Sequence, residues 1–342
     1  MPGAGERSYV YAKACGIIGK SFLGKRISSL GGVSRLSGLD RLVFPLSGRE
    51  LPERELLPDL EKRITGRSVQ QILTIVSSFS SPPELLIRLL RTYEYSDLKS
   101  SLNALVTGET KLPAITDIKP FGTVNFAAFP ELISMLRGTE FEFLLKNKDL
   151  KQGGDAIGAQ TELDRHFYTS LWKALRSLPG KDRVSAERIL TEEISLRNSI
   201  WALRLRTYYG MSADEAEKHL MDIRVKKGRG SEVSLATDAR VSLFLPLDTR
   251  SAWAKWKQAQ FLNPETPGQG WQADPRYFQN AASEHLYRLA LRSFRRSPFS
   301  MDVAFCFIKL KQFEEDLLTS VAEGLGLGMS SQDVLALLEV ES

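Results

Sequence analysis

Two cysteines and three histidines are all that this chain of 342 residues offers to thiol or imidazole chemistry. Cys15 and Cys306 lie far apart among apolar residues, with no zinc-ligand spacing around them. That usage suits a reducing compartment, where both read as core thiols. His166, His219 and His285 are scattered over amphipathic stretches, with only Asp164 and Glu284 nearby. No metal site is expected. Long apolar runs are missing too. Nothing approaches the roughly 20 residues that span a bilayer, and the start, MPGAGERSYVY, has no signal-peptide core. Membrane association is therefore expected to be peripheral, with no direct span.

Neither sign of charge dominates. Against 46 Lys and Arg stand 41 Asp and Glu, a net charge of +5. The densest basic runs, Arg224-Val-Lys-Lys-Gly-Arg-Gly and Arg292-Ser-Phe-Arg-Arg, read as solvated faces or an interface with an acidic partner, and no nucleic-acid partner is expected. G-x-S-x-G, H-E-x-x-H and paired-carboxylate signatures are absent, so no catalytic residue is expected. Gly16-Ile-Ile-Gly-Lys-Ser resembles the end of a phosphate-binding loop. The first glycine of that motif falls at Ala14, and the preceding YVYAKA is helix-like where a strand is required. Lys13 and Lys20 read as solvated positions on a helix, and no cofactor is expected.

What is abundant is helical periodicity. Leu86, Leu90, Tyr93, Leu98, Leu102 and Leu105 form one stripe; Leu196, Ile200, Leu203 and Thr207 form another. Leu310, Phe313, Leu317 and Val321 form a third. Only Val233–Leu247 hints at a strand. Breakers fall at 107–123 and at 226–231. They leave segments of about 110 residues, a usual domain size: 1–110, 120–228 and 229–342. Residues 22–50 have no clear pattern, and Asn263–Asp274 reads as a long loop.

One punctuation is written twice. Gly210-Met-Ser-Ala-Asp-Glu places a glycine stop, a methionine staple against Ala216, and a Ser212/Glu215 capping box. Gly328-Met-Ser repeats it, with Asp333 and Val334 in the later roles. Each copy follows a long helical stretch. A third corner is expected near Asn103–Gly108, where only Gly108 keeps the spelling. The spacing is too long for a solenoid and suggests three related helical domains.

The same helices carry a resemblance. Ser297-Pro-Phe, then Lys311, Glu314 and Leu318, then Gly324 and Gly328-Met-Ser follow the C-terminal pattern of the C subunits of bacterial and archaeal V/A-type ATPases, whose eukaryotic counterparts are the d subunits. Glu162-Leu-Asp-Arg-His-Phe-Tyr is similar to a second element of that family. Ile194-Ser-Leu-Arg-Asn-Ser-Ile-Trp-Ala-Leu-Arg, Tyr93-Glu-Tyr-Ser-Asp-Leu-Lys and Pro120-Phe-Gly-Thr-Val resemble three more. The resemblance runs from about Tyr9 to Val340, weakest over 22–50 and 233–274. A repeated acid-x-x-Asn element is spelled Glu94/Asp97, Ser195/Asn198 and Glu314/Leu317, which marks a divergent member. Acid and amide three residues apart share a helix face and could satisfy backbone or Arg/Lys donors between domains.

The resemblance implies an all-α fold of three similar helical domains, arranged with pseudo-threefold symmetry as a funnel or socket. It implies a non-catalytic connector between the D and F subunits of the central shaft and the membrane rotor ring of proteolipid subunits. That connector would sit on the cytoplasmic face of the membrane and pass torque in ATP-coupled proton or sodium transport. A helical scaffold without a rotary role is the alternative. Structural or interface residues implied by the family elements are Glu94, Asp97, Lys99, Asp164, Asn198, Arg204, Lys311 and Glu314.

Overall fold

The computed structural model describes residues 3–46, 48–146, 156–227, 231–296 and 298–338. Ser297, Val340 and the Gly-Arg-Gly centre of the second break, residues 228–230, lie outside them. The fold is all-α, with one two-stranded antiparallel ribbon, β1 (Arg224–Lys227) and β2 (Ser231–Ser234), among the described residues.

The framework is a set of helices, several of them long. In order these are α1 (Ala4–Ile18), α2 (Leu36–Val43), α3 (Glu53–Val76), α4 (Glu84–Leu90), α5 (Thr92–Val106) and the short α6 (Leu132–Leu136). Then come α7 (Ala156–Arg176), α8 (Val184–Tyr209), the short α9 (Ala213–Glu217) and α10 (Thr237–Ser242). The chain ends with α11 (Pro275–Arg296), α12 (Asp302–Gly326) and α13 (Ser331–Leu337). Helix α12 is the axle of the packing. Its first two turns, Val303 through Ile308, are apolar on every side and fully buried, as a helix surrounded by others requires. It touches α1, α3, α4, α8, α11 and α13. Cys306 sits in this stretch, and burial pushes its thiol well up, which leaves it inert.

Residues 22–50, patternless in sequence, form a 3-10 turn at Gly24–Leu30 followed by α2, with Phe22, Ile27, Leu30, Leu36 and Leu39 buried in the main core. Gly16 and its neighbours are the end of α1, a helix where a phosphate loop needs a strand. The linker at 107–123 has no regular structure, and Asn263–Asp274 is a loop. It is pinned by Trp271 donating to Asn263 O and by Trp253 and Trp256, which with Phe261 and Phe278 make a separate small core. The strand expected over Val233–Leu247 is a correction. It ends at Ser234, and Thr237–Ser242 is helical, because Ala239 and Leu243, four apart, pack on Ala202 and Leu205 of α8.

The doubled corner forms as a full capping box at Ser212 and as half of one at Ser330. Ser212 Oγ accepts from Glu215 N, and the Glu215 carboxylate accepts from Ser212 N at 3.0 Å. Ser330 Oγ accepts from Asp333 N at 3.1 Å. Gly108, Gly210 and Gly328 all have positive φ, at 75°, 62° and 81°. At Gly108 and Gly328 the wrap is the same. The glycine N–H donates to Leu105 O and Leu325 O, and the next N–H to Ala104 O and Gly324 O, closing the last turn. At Gly210 the turn is wider, with both N–H groups on Leu205 O. The third helix end expected near Asn103–Gly108 is thus a left-handed glycine corner as well.

Candidate functional site: three clamps and a central cavity

The residues marked by the repeated element divide into two groups. Glu94, Asp97, Asn198, Lys311 and Glu314 are buried; all but Lys311, which bonds Glu314 and the Ser21 hydroxyl, clamp a distant piece of backbone. On α5, Glu94 Oε1 accepts from Thr123 N, from Val124 N at 2.6 Å and from Thr123 Oγ1. One turn on, Asp97 accepts from Thr116 N at 2.8 Å and from Thr116 Oγ1. Burial raises the Asp97 carboxyl to about 6, against the lowering effect of the Thr116 bonds. The linker is therefore stitched onto the helix that precedes it. On α8, Asn198 does the same with an amide. Its Oδ1 accepts from Met221 N at 2.8 Å, and its Nδ2 donates to Met221 O and Leu235 O. It holds the two feet of the β-ribbon.

On α12 the clamp is ionic. Lys311 Nζ and Glu314 Oε2 form a direct pair with both side chains sealed from solvent. Glu314 Oε1 accepts from Phe22 N at 2.7 Å, and Lys311 Nζ donates to Ser21 Oγ at 3.3 Å. Arg67 adds charge at 3.8 Å from Glu314. Burial lowers the Lys311 ammonium, opposed by Glu314. The segment held here belongs to the other end of the chain. Two more contacts fasten that end: Gly24 N donates to Tyr287 Oη on α11 at 2.7 Å, and Arg7 grips Asp182 just before α8 at 2.8 Å.

Lys99, Asp164 and Arg204 come together elsewhere. They line a cavity of about 480 Å³ walled by α5, α7, α8, α11 and α12. Its lining continues with Glu193, Arg197, Lys309 and Asp316, which are not among the residues the family elements single out. The charges run in a belt. Lys99 Nζ lies 2.7 Å and Arg197 3.5 Å from Asp164, and Arg197 also covers the Tyr168 ring. Tyr168 donates to Glu193 at 2.9 Å, and Glu193 pairs with Lys309 at 2.7 Å. The belt links α5, α7, α8 and α12. Arg204 donates to Gln279 on α11 at 2.6 Å. A signal for the missed residues existed. Glu193, Arg197, Ile200 and Arg204 follow the i, i+4, i+7, i+11 spacing of one helix face, and Lys309 and Asp316 stand two turns apart. Between the charges the wall is apolar, with Ile189, Leu196, Trp201, Leu286 and Phe313.

Such a body is an all-helical frame whose family-marked polar side chains clamp backbone or line a charged hollow. The chain belongs to the ATP synthase (C/AC39) subunit family, whose model matches residues 49–337. It is 26% identical over 323 residues to an uncharacterized protein of Treponema pallidum (strain Nichols), covering 94% of this chain and 92% of that one. It is 23% identical over 186 residues to the A-type ATP synthase C subunit of Methanosarcina mazei, covering 52% of this chain and 49% of that protein. The family match begins after Phe22, so the segment that Glu314 and Lys311 hold precedes it. Among the described residues, no helix is long and apolar enough to cross a membrane.

Proposed function

We propose that this protein is the non-catalytic central-stalk connector of a rotary V/A-type ATPase. It joins the D and F shaft subunits to the proteolipid ring and transmits torque in ATP-coupled proton or sodium transport. It works at the cytoplasmic face of the membrane, held there through its partners. The observation that carries the reading is the cavity of about 480 Å³ enclosed by long helices from each third of a chain that belongs to the ATP synthase (C/AC39) subunit family. A connector needs a receptor for the shaft and a body that does not yield. The cavity supplies the first, and the clamps at Glu94, Asn198 and Glu314 supply stiffness, because each fixes a loop to a helix by buried polar bonds. The αL glycine corners ending α5, α8 and α12 support three related segments, 1–110, 120–228 and 229–342, set around a pseudo-threefold axis.

Purification of the tagged protein from its native membranes tests this. Recovery of D, F and the ring is expected. Recovery of neither shaft nor ring overturns the connector role.

A further inference from the structure

One end of the helix frame carries positive charge that no ion pair answers. Asp302, which opens α12, accepts from Ser185 N at 2.9 Å and from Ala186 N at 3.0 Å. That sets the first turns of α8 and α12 side by side, close to where α11 ends. Helix α1 joins them. Arg7 grips Asp182, and the Tyr11 ring lies 6.1 Å from Phe294 and 5.7 Å from Phe299. Lys181, Arg188, Arg292, Arg295 and Arg296 are exposed here and make no ion pair among the described residues.

The acids at this end are already committed. Asp182 is held by Arg7, Glu187 by Arg176 and Arg183, and Asp302 by the backbone of α8. Glu6 accepts from Gly3 N and Ser80 N. Glu192, one turn beyond Arg188, pairs with none of the five cations. A helix C-terminus favours one or two cations, which accounts for Arg295 and Arg296 alone. Lys181 precedes α8 and Arg188 follows its first turn, beside the positive end of a helix dipole, where a cation is disfavoured. Local structure therefore does not explain the cluster.

Apolar side chains stand among these charges. Val184 is 66% exposed and Phe299 59%. Phe299 is braced by Tyr11. Unpaired arginines around an exposed aromatic side chain suit the membrane–water interface: guanidinium groups meet lipid phosphates and the apolar tips enter the headgroup layer. An acidic protein surface would match the cations alone. The other end of α8 differs. Tyr208 and Tyr209 are exposed there, but Arg206 is spent on Ser242 O and Leu245 O, and Arg240 on Glu217.

We infer that this end of the protein rests directly on an anionic phospholipid surface, with Arg292, Arg295 and Arg296 against lipid phosphates and Phe299 among the headgroups. This goes beyond the connector reading, in which partner subunits hold the protein at the membrane.

Co-sedimentation of the full-length protein with vesicles tests it, using phosphatidylcholine alone and phosphatidylcholine with about one third phosphatidylglycerol. Binding to the anionic vesicles is expected, weakening as salt rises, with none to the neutral ones. Each cation at such a surface contributes about fivefold in partitioning. Reversing Arg292, Arg295 and Arg296 together to Glu should therefore weaken binding at least about tenfold, and Phe299→Ser several-fold. Reversing Lys111, Arg137 and Lys255, exposed cations of other segments, makes the same change in net charge and should weaken it far less. Circular dichroism and gel filtration establish that the variants fold. Should the first triple variant fail to fold, the neutral pair Arg295→Gln and Arg296→Gln decides. Failure of the wild type to bind anionic vesicles, or equal loss from the two triple variants, overturns the inference. A triple variant that binds vesicles as the wild type does but no longer co-purifies with the complex also overturns it, and assigns this face to an acidic protein partner. The connector reading is decided separately, by recovery of shaft and ring.

Discussion

The clamps on α5 and α12 perform one task with different chemistry. Glu94 binds two backbone N–H groups and a hydroxyl, all from a linker about 29 residues away. Glu314 binds one backbone N–H, from Phe22, across 292 residues of chain, and it does so with Lys311 and Arg67 beside it. Closing a connection ten times longer costs about 2 kcal/mol more in chain entropy. The short connection is held by neutral donors to Glu94, with the Arg91 guanidinium 4.0 Å from that carboxylate and donating to Phe121 O. The long one has a buried ion pair, whose loss on one side costs several kcal/mol. The difference teaches that the repeated helix position keeps an oxygen aimed at a loop, while its strength follows the reach of the loop it holds.

The largest effect expected from breaking this comparison is at the long-range clamp. Lys311→Met leaves the Glu314 carboxylate buried without its ammonium and should cost about 3–5 kcal/mol in denaturant unfolding. Adding Glu314→Leu should recover part of that loss, and exchange of the Phe22 amide should quicken in both variants. Next comes the short-range clamp. Glu94→Ala strands its donors and should cost about 2–3 kcal/mol. It should also raise protease cleavage within 107–123, which Lys311→Met should not. If the two variants open the same region, the clamps are not independent. A third effect sharpens the contrast at the end of α12. A side-chain carbon at Gly324 would lie 2.2 Å from Val334 Cγ2. Gly324→Ala should therefore cost about 1–3 kcal/mol, with Val334→Ala restoring part of it.

The last effect is a slope with pH. Asp97 holds its proton to about 6 in the folded protein against 3.8 when free. The folded state binds the extra proton between those values, so this group's contribution to stability falls as pH rises from 4 to 6. Asp97→Asn should flatten thermal stability over that window. An unchanged slope would assign it to another group.

The helical stripes, the glycine corners and the linker were legible because each is written within a few residues by periodicity, capping hydroxyls and positive φ. The clamp residues were legible as a pattern, since Glu94 and Glu314 hold the acid position of the repeated element and Asp97 and Asn198 its second position. What they hold was not. Nothing in Lys20-Ser-Phe-Leu announces that Phe22 N–H meets a carboxylate 292 residues later, because backbone donors are the same in every sequence. The cavity was half legible. Lys99, Asp164 and Arg204 were marked by family elements, whereas Lys309 and Asp316 acquire meaning only when α12 is placed beside α8 and α11. The strand expected over Val233–Leu247 failed because its alternation ends at Ser234, where Ala236, Ala239 and Leu243 turn to helical spacing against α8.

The bond between Phe22 and Glu314 also sets a schedule. On the ribosome, the segment around Phe22 emerges long before α12 exists, and at roughly 5–20 residues per second the wait is on the order of 15–60 s. Throughout it Phe22, Leu23 and Ile27, all sealed in the finished protein, have no permanent place to go. The apolar stretch around Phe22 is made early and housed late, so an interrupted chain leaves it exposed near its own front end, a ready handle for chaperones and proteases.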